Sequence, residues 1–312
     1  MISAKGFEFM LDFHPLRLED LPRLRPFFGY SRSRICDTTP GTVFIWRDIY
    51  KTEWAVYGGS LYFKVDYPGL GPTFTLPLGG GRPEHFRQIA DYCCRRSMPI
   101  SFYPVPKDEL DQLQEFFPAS TAVGERDNFD YLYRAEDLKY FRGKKLSGQR
   151  NHVNKFLKTY GNWTFRPIVP SDIPGVKAFL DNYAARWDKG AATFHEDIAK
   201  THEVLDNYQT YDLLGGVLLV EDRIVGFSLG EVIGDVLFTH IEKADRDYEG
   251  CYQMLVAQFA QQFAGEGVVS FINREDDTGD MGLRTSKLSY HPVALLEKYT
   301  VTVDEPCDYC QV

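Results

Sequence analysis

No apolar run in the chain is long enough to cross a bilayer. The longest aliphatic stretch, Leu213–Val220, has eight residues and includes two glycines, against roughly twenty for a membrane helix. Residues Met1–Met10 lack the apolar core of a secretory signal. Cysteine is scarce, and Cys36, Cys93, Cys94, Cys251, Cys307 and Cys310 show none of the spacing of a disulfide framework, so a reducing cytoplasm is the expected location. Metal-ligand patterns are missing as well. The pair Cys307-x-x-Cys310 has no second pair or close histidines, and His195 and His202 are seven apart, outside the register that sets two ligands on one helical face; no metal is expected. Positive charge is also short: 35 Lys and Arg against 44 Asp and Glu give −9. General coating of nucleic acid is thereby excluded, and any polyanion site must be local.

What is present is globular. A 44% hydrophobic share, 15% aromatics and 25% charged residues describe a chain that buries a core, and 312 residues suffice for two cores of ordinary size. The two halves repeat. Residues 14–28 read HPLRLEDLPRLRPFF and residues 166–180 read RPIVPSDIPGVKAFL. At an offset of 152, Pro15 matches Pro167, Asp20 matches Asp172, Pro22 matches Pro174 and Phe27 matches Phe179. Each copy predicts a strand leading into a helix, the second with Ser171 as N-cap and Pro174 in the first turn. After it come strands Leu214–Val220, Val225–Val232 and Val236–Glu242 with tight turns between them, a helix from Gly250 to Ala264, the strand Val268–Ile272 and a last helix. The first half predicts strands at Val43–Trp46, Trp54–Tyr57, Leu61–Val65 and Phe74–Leu76, a helix from Pro83, a strand Ile100–Tyr103 and a helix Asp108–Phe117.

This order resembles the GNAT acyltransferase fold, once in each half. The runs Gly143-Lys144-Lys145, Arg150-Asn151-His152-Val153-Asn154-Lys155-Phe156 and Gly282-Leu283-Arg284 through Lys287-Leu288-Ser289-Tyr290-His291-Pro292 resemble bacterial proteins related to the C-terminal domain of phosphatidylglycerol lysyltransferase, akin to the Fem-type aminoacyl-tRNA-dependent transferases. The resemblance implies an α/β chain of tandem duplicated GNAT-like domains, each a mostly antiparallel twisted sheet flanked by helices. The expected divisions are an N-terminal domain at 1–133, a basic helical connector at 134–160 and a C-terminal domain at 161–312. It also implies an acyl- or aminoacyl-transferase using acyl-CoA or aminoacyl-tRNA. Acetyl-CoA-dependent N-acetylation and a catalytically silent binding protein are the alternatives.

GNAT enzymes hold the CoA pyrophosphate on backbone amides between the fourth strand and the next helix. The matching stretch is Arg246, Asp247, Tyr248, Glu249, Gly250, Cys251 and Tyr252, with Asp247 in place of the usual basic or amide residue. Its first-half counterpart is Leu78-Gly79-Gly80-Gly81-Arg82-Pro83, the better anion nest electrostatically. Thr285 stands where many GNAT enzymes carry the tyrosine that protonates the departing thiolate, leaving Tyr290 as the substitute. Acyl transfer to an amine needs a base and a donor toward the developing oxyanion. His240 and Glu242 project from one strand with Glu231 on its neighbour, and Asn273 ends the next strand; these are the catalytic candidates together with Tyr290. The acidic run after Asn273, with Glu275 and Asp276, and Lys287 beyond it, are the expected substrate contacts.

The sharpest charge anomaly is Arg134–Lys158, where eight cations less two acids give +6. Its helix predicts Val153, Phe156, Leu157 and Tyr160 on an apolar side and Arg150, Asn154 and Lys158 in a polar stripe. Arg150 and Lys155 are the expected grip on a phosphate-bearing donor, and the acceptor is expected to be a small-molecule or lipid-headgroup amine or hydroxyl.

Overall fold

The computed structural model describes residues 11–79, 83–188 and 190–304. The first half supplies β1 (His14–Pro15), α1 (Leu21–Phe28), α2 (Pro40–Trp46), β2 (Glu53–Tyr57), β3 (Ser60–Tyr67), β4 (Gly71–Phe74), α3 (Pro83–Arg96), β5 (Ser101–Pro106), α4 (Lys107–Phe116), β6 (Ser120–Gly124) and β7 (Asp130–Arg134). After α5 (Ala135–Tyr140) and α6 (Ser147–Thr159) the second half supplies β8 (Trp163–Pro167), α7 (Ile173–Trp187), α8 (Ala192–Asp206), α9 (Tyr208–Tyr211) and β9 (Leu214–Val220). It continues through β10 (Arg223–Ile233), β11 (Val236–Ala244), α10 (Cys251–Phe263), β12 (Phe271–Asn273), α11 (Met281–Ser289), β13 (Ala294–Leu296) and β14 (Lys298–Val303).

Two seven-stranded sheets result, ordered β1-β2-β3-β4-β5-β14-β6 and β13-β7-β12-β11-β10-β9-β8. Each is antiparallel apart from one parallel pairing, β4 with β5 and β11 with β12. Helices flank both sheets, as the tandem GNAT-like reading requires. The seventh strand of each half lies in the other half's sheet: β14 pairs with β5 and β6, and β7 pairs with β12 and β13.

That exchange corrects the expected divisions at 133 and 160. One compact unit comprises the described parts of 11–33, 46–125 and 297–304; the other comprises Arg34–Ile45 and Arg126–Leu296. The 134–160 stretch is no free connector, because Phe156 of α6 is fully buried in a core with Leu218, Cys251 and Leu255.

The first sheet's core gathers Tyr62, Phe74, Phe86, Ile89, Phe102 and Phe117. The second gathers Tyr131, Tyr133, Leu237, Phe259, Ile272 and Tyr290. Each fully buried ring contributes on the order of 2 kcal/mol. The repeat is visible in detail, since Asp20 accepts from the Arg17 amide at 3.0 Å and Asp172 from the Val169 amide at 2.9 Å. Asp172, not the expected Ser171, therefore anchors that helix entry, where it is also bonded by Arg166.

Val43–Trp46 is helix rather than strand. The β-branched and aromatic residues there suit either, but Pro40 opens a helical turn and the Thr39 hydroxyl accepts the Thr42 amide at 3.3 Å. Leu157, expected on the apolar side of α6, is 42% exposed. Cys94 is disulfide-bonded, against the expectation from spacing, while Cys36, Cys93 and Cys251 are buried thiols. Gly80, Gly81 and Arg82 of the first-half anion nest, and Cys307 and Cys310, lie outside the described residues.

Candidate functional site

The second unit carries a buried relay of three ionisable side chains. In the pairing of β10 with β11, Leu229 faces Ile241 and Gly230 faces Thr239, so His240 is the extra residue of a bulge. Bulges re-aim side chains. Here the ring lies parallel to Phe238, 6.4 Å between centroids. His240 Nε2 meets Glu231 Oε1 at 3.0 Å, and Nδ1 meets Glu275 Oε1 at 2.8 Å. Along the chain of groups the side-chain exposure is 5% for Glu231, 1% for His240 and 22% for Glu275, so the relay meets solvent at its Glu275 end.

With a carboxylate at each nitrogen, both ring nitrogens act as donors. Burial alone would lower the His240 pKa, but Glu231 and then Glu275 push it up to about 9. At neutral pH the trio is thus an imidazolium between two carboxylates. His240 is not a ready base, and the proton acceptor nearest solvent is Glu275.

The loop after β12 is built to deliver Glu275. Asn273, fully buried, donates through Nδ2 to Asp130 at 2.8 Å and to the Arg34 carbonyl at 2.7 Å, and its Oδ1 accepts the Glu275 amide at 2.6 Å. Glu275 takes a φ of 58°. Lys287 donates to the Arg274 carbonyl at 2.6 Å and to the Asp276 carbonyl; burial lowers its pKa. Asn273, expected among the catalytic residues, and Lys287, expected as a substrate contact, clamp this loop. The acidic run is internally matched too. Asp277 accepts from Tyr131 at 2.5 Å and from Arg284 at 2.6 and 3.0 Å, and those bonds, with the Gly279 amide, outweigh burial and hold it down to about 2.

Glu242 does not join His240. It pairs with Arg274 at 2.6 Å, and that guanidinium lies 4.6 Å from the Tyr290 ring centroid. Tyr290 points inward as its candidacy needed, but burial pushes its hydroxyl up to about 12, which makes it a weaker acid. Thr285 donates its hydroxyl to the Met281 carbonyl at 2.8 Å.

The loop before α10 fits a CoA pyrophosphate poorly. The amides of Asp247, Tyr248, Glu249 and Cys251 already donate, to Asp245 Oδ1, the Asp245 carbonyl, the Tyr160 hydroxyl and the Tyr248 carbonyl. Gly250 has a φ of 82°, and a Cβ there would stand 2.2 Å from the His152 carbonyl oxygen of α6, so backbone occupies the approach. Arg246 lies 5.0 Å from the Trp187 ring centroid, with Tyr183 and Tyr252 bonded to each other through their hydroxyls at 3.2 Å. Tyr248 packs against Tyr160 with the rings tilted by 43°, and Cys251 donates to the Val225 carbonyl at 3.3 Å. On α6, Arg150 donates to the carbonyls of Phe141 and Gly143 at 2.6 and 3.1 Å, and Lys155 pairs with Glu249 at 2.5 Å. Both cations expected to grip phosphate thus have partners within the chain.

Sequence reasoning missed Gly41, Thr42 and Asp130. Gly41 donates its amide to Glu231 Oε1 at 2.6 Å, and the Thr42 hydroxyl lies 3.3 Å from His240 Nδ1. Their signal was the Pro-Gly-Thr helix start, obscured by the strand-like residues after it. Asp130 joins Cys36 and Asp37 in the group that, among the described residues, could present three metal-type ligands; its oxygens accept from the Cys36 amide, the Cys36 thiol and Asn273.

Residues 28–302 match the protein family described as phosphatidylglycerol lysyltransferase, C-terminal. A protein of unknown function from Bacteroides thetaiotaomicron is 30% identical with a TM-score of 0.87, over 94% of this chain and all of that one. L-PGS from Bacillus licheniformis aligns at 14% identity and TM-score 0.64, over 90% of this chain and 91% of that one. FemX aligns at 9% identity and TM-score 0.60, over 93% and 97%. Both share the fold. An uncharacterised protein from Mycoplasmoides gallisepticum is 26% identical over 175 residues, so the match spans 56% of each chain. Among the described residues no helix is long and apolar enough to cross a membrane.

Proposed function

The chain belongs to the phosphatidylglycerol lysyltransferase C-terminal family, and on that premise we propose that it transfers an aminoacyl group from an aminoacyl-tRNA to an amine or hydroxyl acceptor, with a lipid headgroup as the acceptor class. The observation that carries this reading is the Glu231–His240–Glu275 relay, buried at one end and reaching solvent at Glu275. As the acceptor's lone pair attacks the ester carbonyl, its proton passes to the Glu275 carboxylate. The carbon–oxygen bond to the carrier then breaks, and the same proton leaves with the ribose hydroxyl. The His240 imidazolium orients Glu275 and offsets the charge of both carboxylates.

Two features favour an ester donor over acyl-CoA. The amides before α10 are engaged within the chain, and Thr285 is too weak an acid to protonate a thiolate.

The test supplies the purified chain with radiolabelled lysyl-tRNA and phosphatidylglycerol vesicles, and separately with acetyl-CoA and a diamine. Label is expected in the lipid fraction, falling about 100-fold or more in Glu275→Gln. Acetylation of the diamine with no response to charged tRNA would overturn the reading, as would saturable tRNA binding without label transfer.

A further inference from the structure

The segment Arg34–Ile45 comes from the first half of the sequence but belongs to the second compact unit. It is fastened there at several points. Arg34 pairs with Asp235 at 2.7 Å and its guanidinium lies 4.4 Å from the Phe271 ring centroid. The Cys36 amide donates to Asp130 at 2.7 Å, and the Phe44 carbonyl accepts from Tyr211 at 3.3 Å. This fastening brings the start of α2 against the relay. The groups that face the His240 ring nitrogens are then Glu231 from β10, Glu275 from the loop after β12 and Thr42 from α2.

We infer that Gly41 and Thr42 are positioning residues of this site: the Gly41 amide and its missing side chain set the Glu231–His240 contact, and the Thr42 hydroxyl sets the His240–Glu275 contact. A Cβ at position 41 would stand 2.5 Å from His240 Nε2 and 2.6 Å from Glu231 Oε1. Both obstructed atoms belong to side chains rather than backbone, so even alanine displaces the ionic pair before it displaces the backbone. The Gly41 amide donates to the same Glu231 oxygen that meets His240, at 2.6 Å, which fixes that carboxylate. Thr42 Oγ1 donates to Glu275 Oε1 at 3.4 Å and is itself placed by Thr39 at 3.2 Å. Glycine is required at 41 by space, and a hydroxyl at 42 by bonding.

This inference rests on the proposed use of the relay, but its main readout needs no substrate. The His240 ring is followed by nitrogen-edited NMR against pH in the full chain, assigned among the seven histidines by its disappearance in His240→Gln. Gly41→Ala should lower the His240 midpoint by about one pH unit or more and lower tRNA-dependent transfer about tenfold or more. Thr42→Val should move both in the same direction by less, and Thr42→Ser should restore both. Gly148→Ala, on α6 with open space around its Cα, should change neither. Wild-type midpoints in both Gly41→Ala and Thr42→Val overturn the inference. Should Gly41→Ala not fold, Thr42→Val against Thr42→Ser decides it, and equal midpoints overturn it. A shifted midpoint with no transfer from charged tRNA in the wild type removes the aminoacyl reading and leaves the positioning role standing.

Discussion

His240 meets a carboxylate at each ring nitrogen, at 3.0 and 2.8 Å, and its side chain is almost wholly withdrawn from water. Desolvation and ion pairing pull its pKa in opposite directions, and pairing wins, raising it to about 9. The unfolded chain's imidazole titrates near 6.5, so folding tightens proton binding. The resulting stabilisation is full below about pH 6.5, declines as pH rises through the window and is gone above about 9, with a total on the order of 3 kcal/mol. Urea denaturation of the wild type should show this decline between pH 6.5 and 9, and His240→Gln should lack it. Parallel profiles for the two proteins would mean that His240 is not charged in the folded state. The sequence placed His240 and Glu231 on neighbouring strands because alternation is local. It could not show that Glu275 closes the trio, because that contact depends on the left-handed turn at Glu275 and on the Asn273 and Lys287 bonds that hold it.

At the scale of elements, the periodic segments were legible. The β9, β10 and β11 meander, α10, and the matched entries to α1 and α7 all follow from alternation, turn residues and the repeated Pro and Asp positions. The failure at α2 has a physical cause, since Val43, Phe44, Ile45 and Trp46 carry strand propensity and tertiary bonds decide in favour of helix. The loop before α10 shows a second limit. A glycine at a helix start reads equally as a phosphate cradle or as a packing site, and the engaged amides beside it and the His152 carbonyl 2.2 Å from the position of a Cβ distinguish them. Because Gly250 also has a φ of 82°, Gly250→Ala combines backbone strain with a clash against α6 backbone and should destabilise the chain by about 3 kcal/mol. Thermal and urea unfolding measure this. A cost below about 0.5 kcal/mol would mean that α6 does not press on Gly250 and would reopen the amides around it to a phosphate.

For the molecule as a whole, the exchanged strands matter more than any single site. Duplication is written in the sequence as a repeat at an offset of 152, and it suggests two self-contained domains. Strand exchange leaves no local trace, because β7 and β14 carry the alternation they would have in either sheet. The consequence is a division of labour in which neither half holds a complete sheet: the first lacks the strand between β5 and β6, and the second the strand between β12 and β13. Those positions are interior, and Val301 of β14 and Tyr131 of β7 are fully buried there, so their loss exposes two strand edges and opens a core at once. A chain broken at Gly143, in the exposed turn between α5 and α6, should therefore yield fragments that are insoluble or unfolded when made separately. Made together, they should form a one-to-one complex with native circular dichroism, each providing the other's missing strand. A first-half fragment that folds alone with a cooperative thermal transition would contradict this, because it would show that β5 and β6 close up without β14.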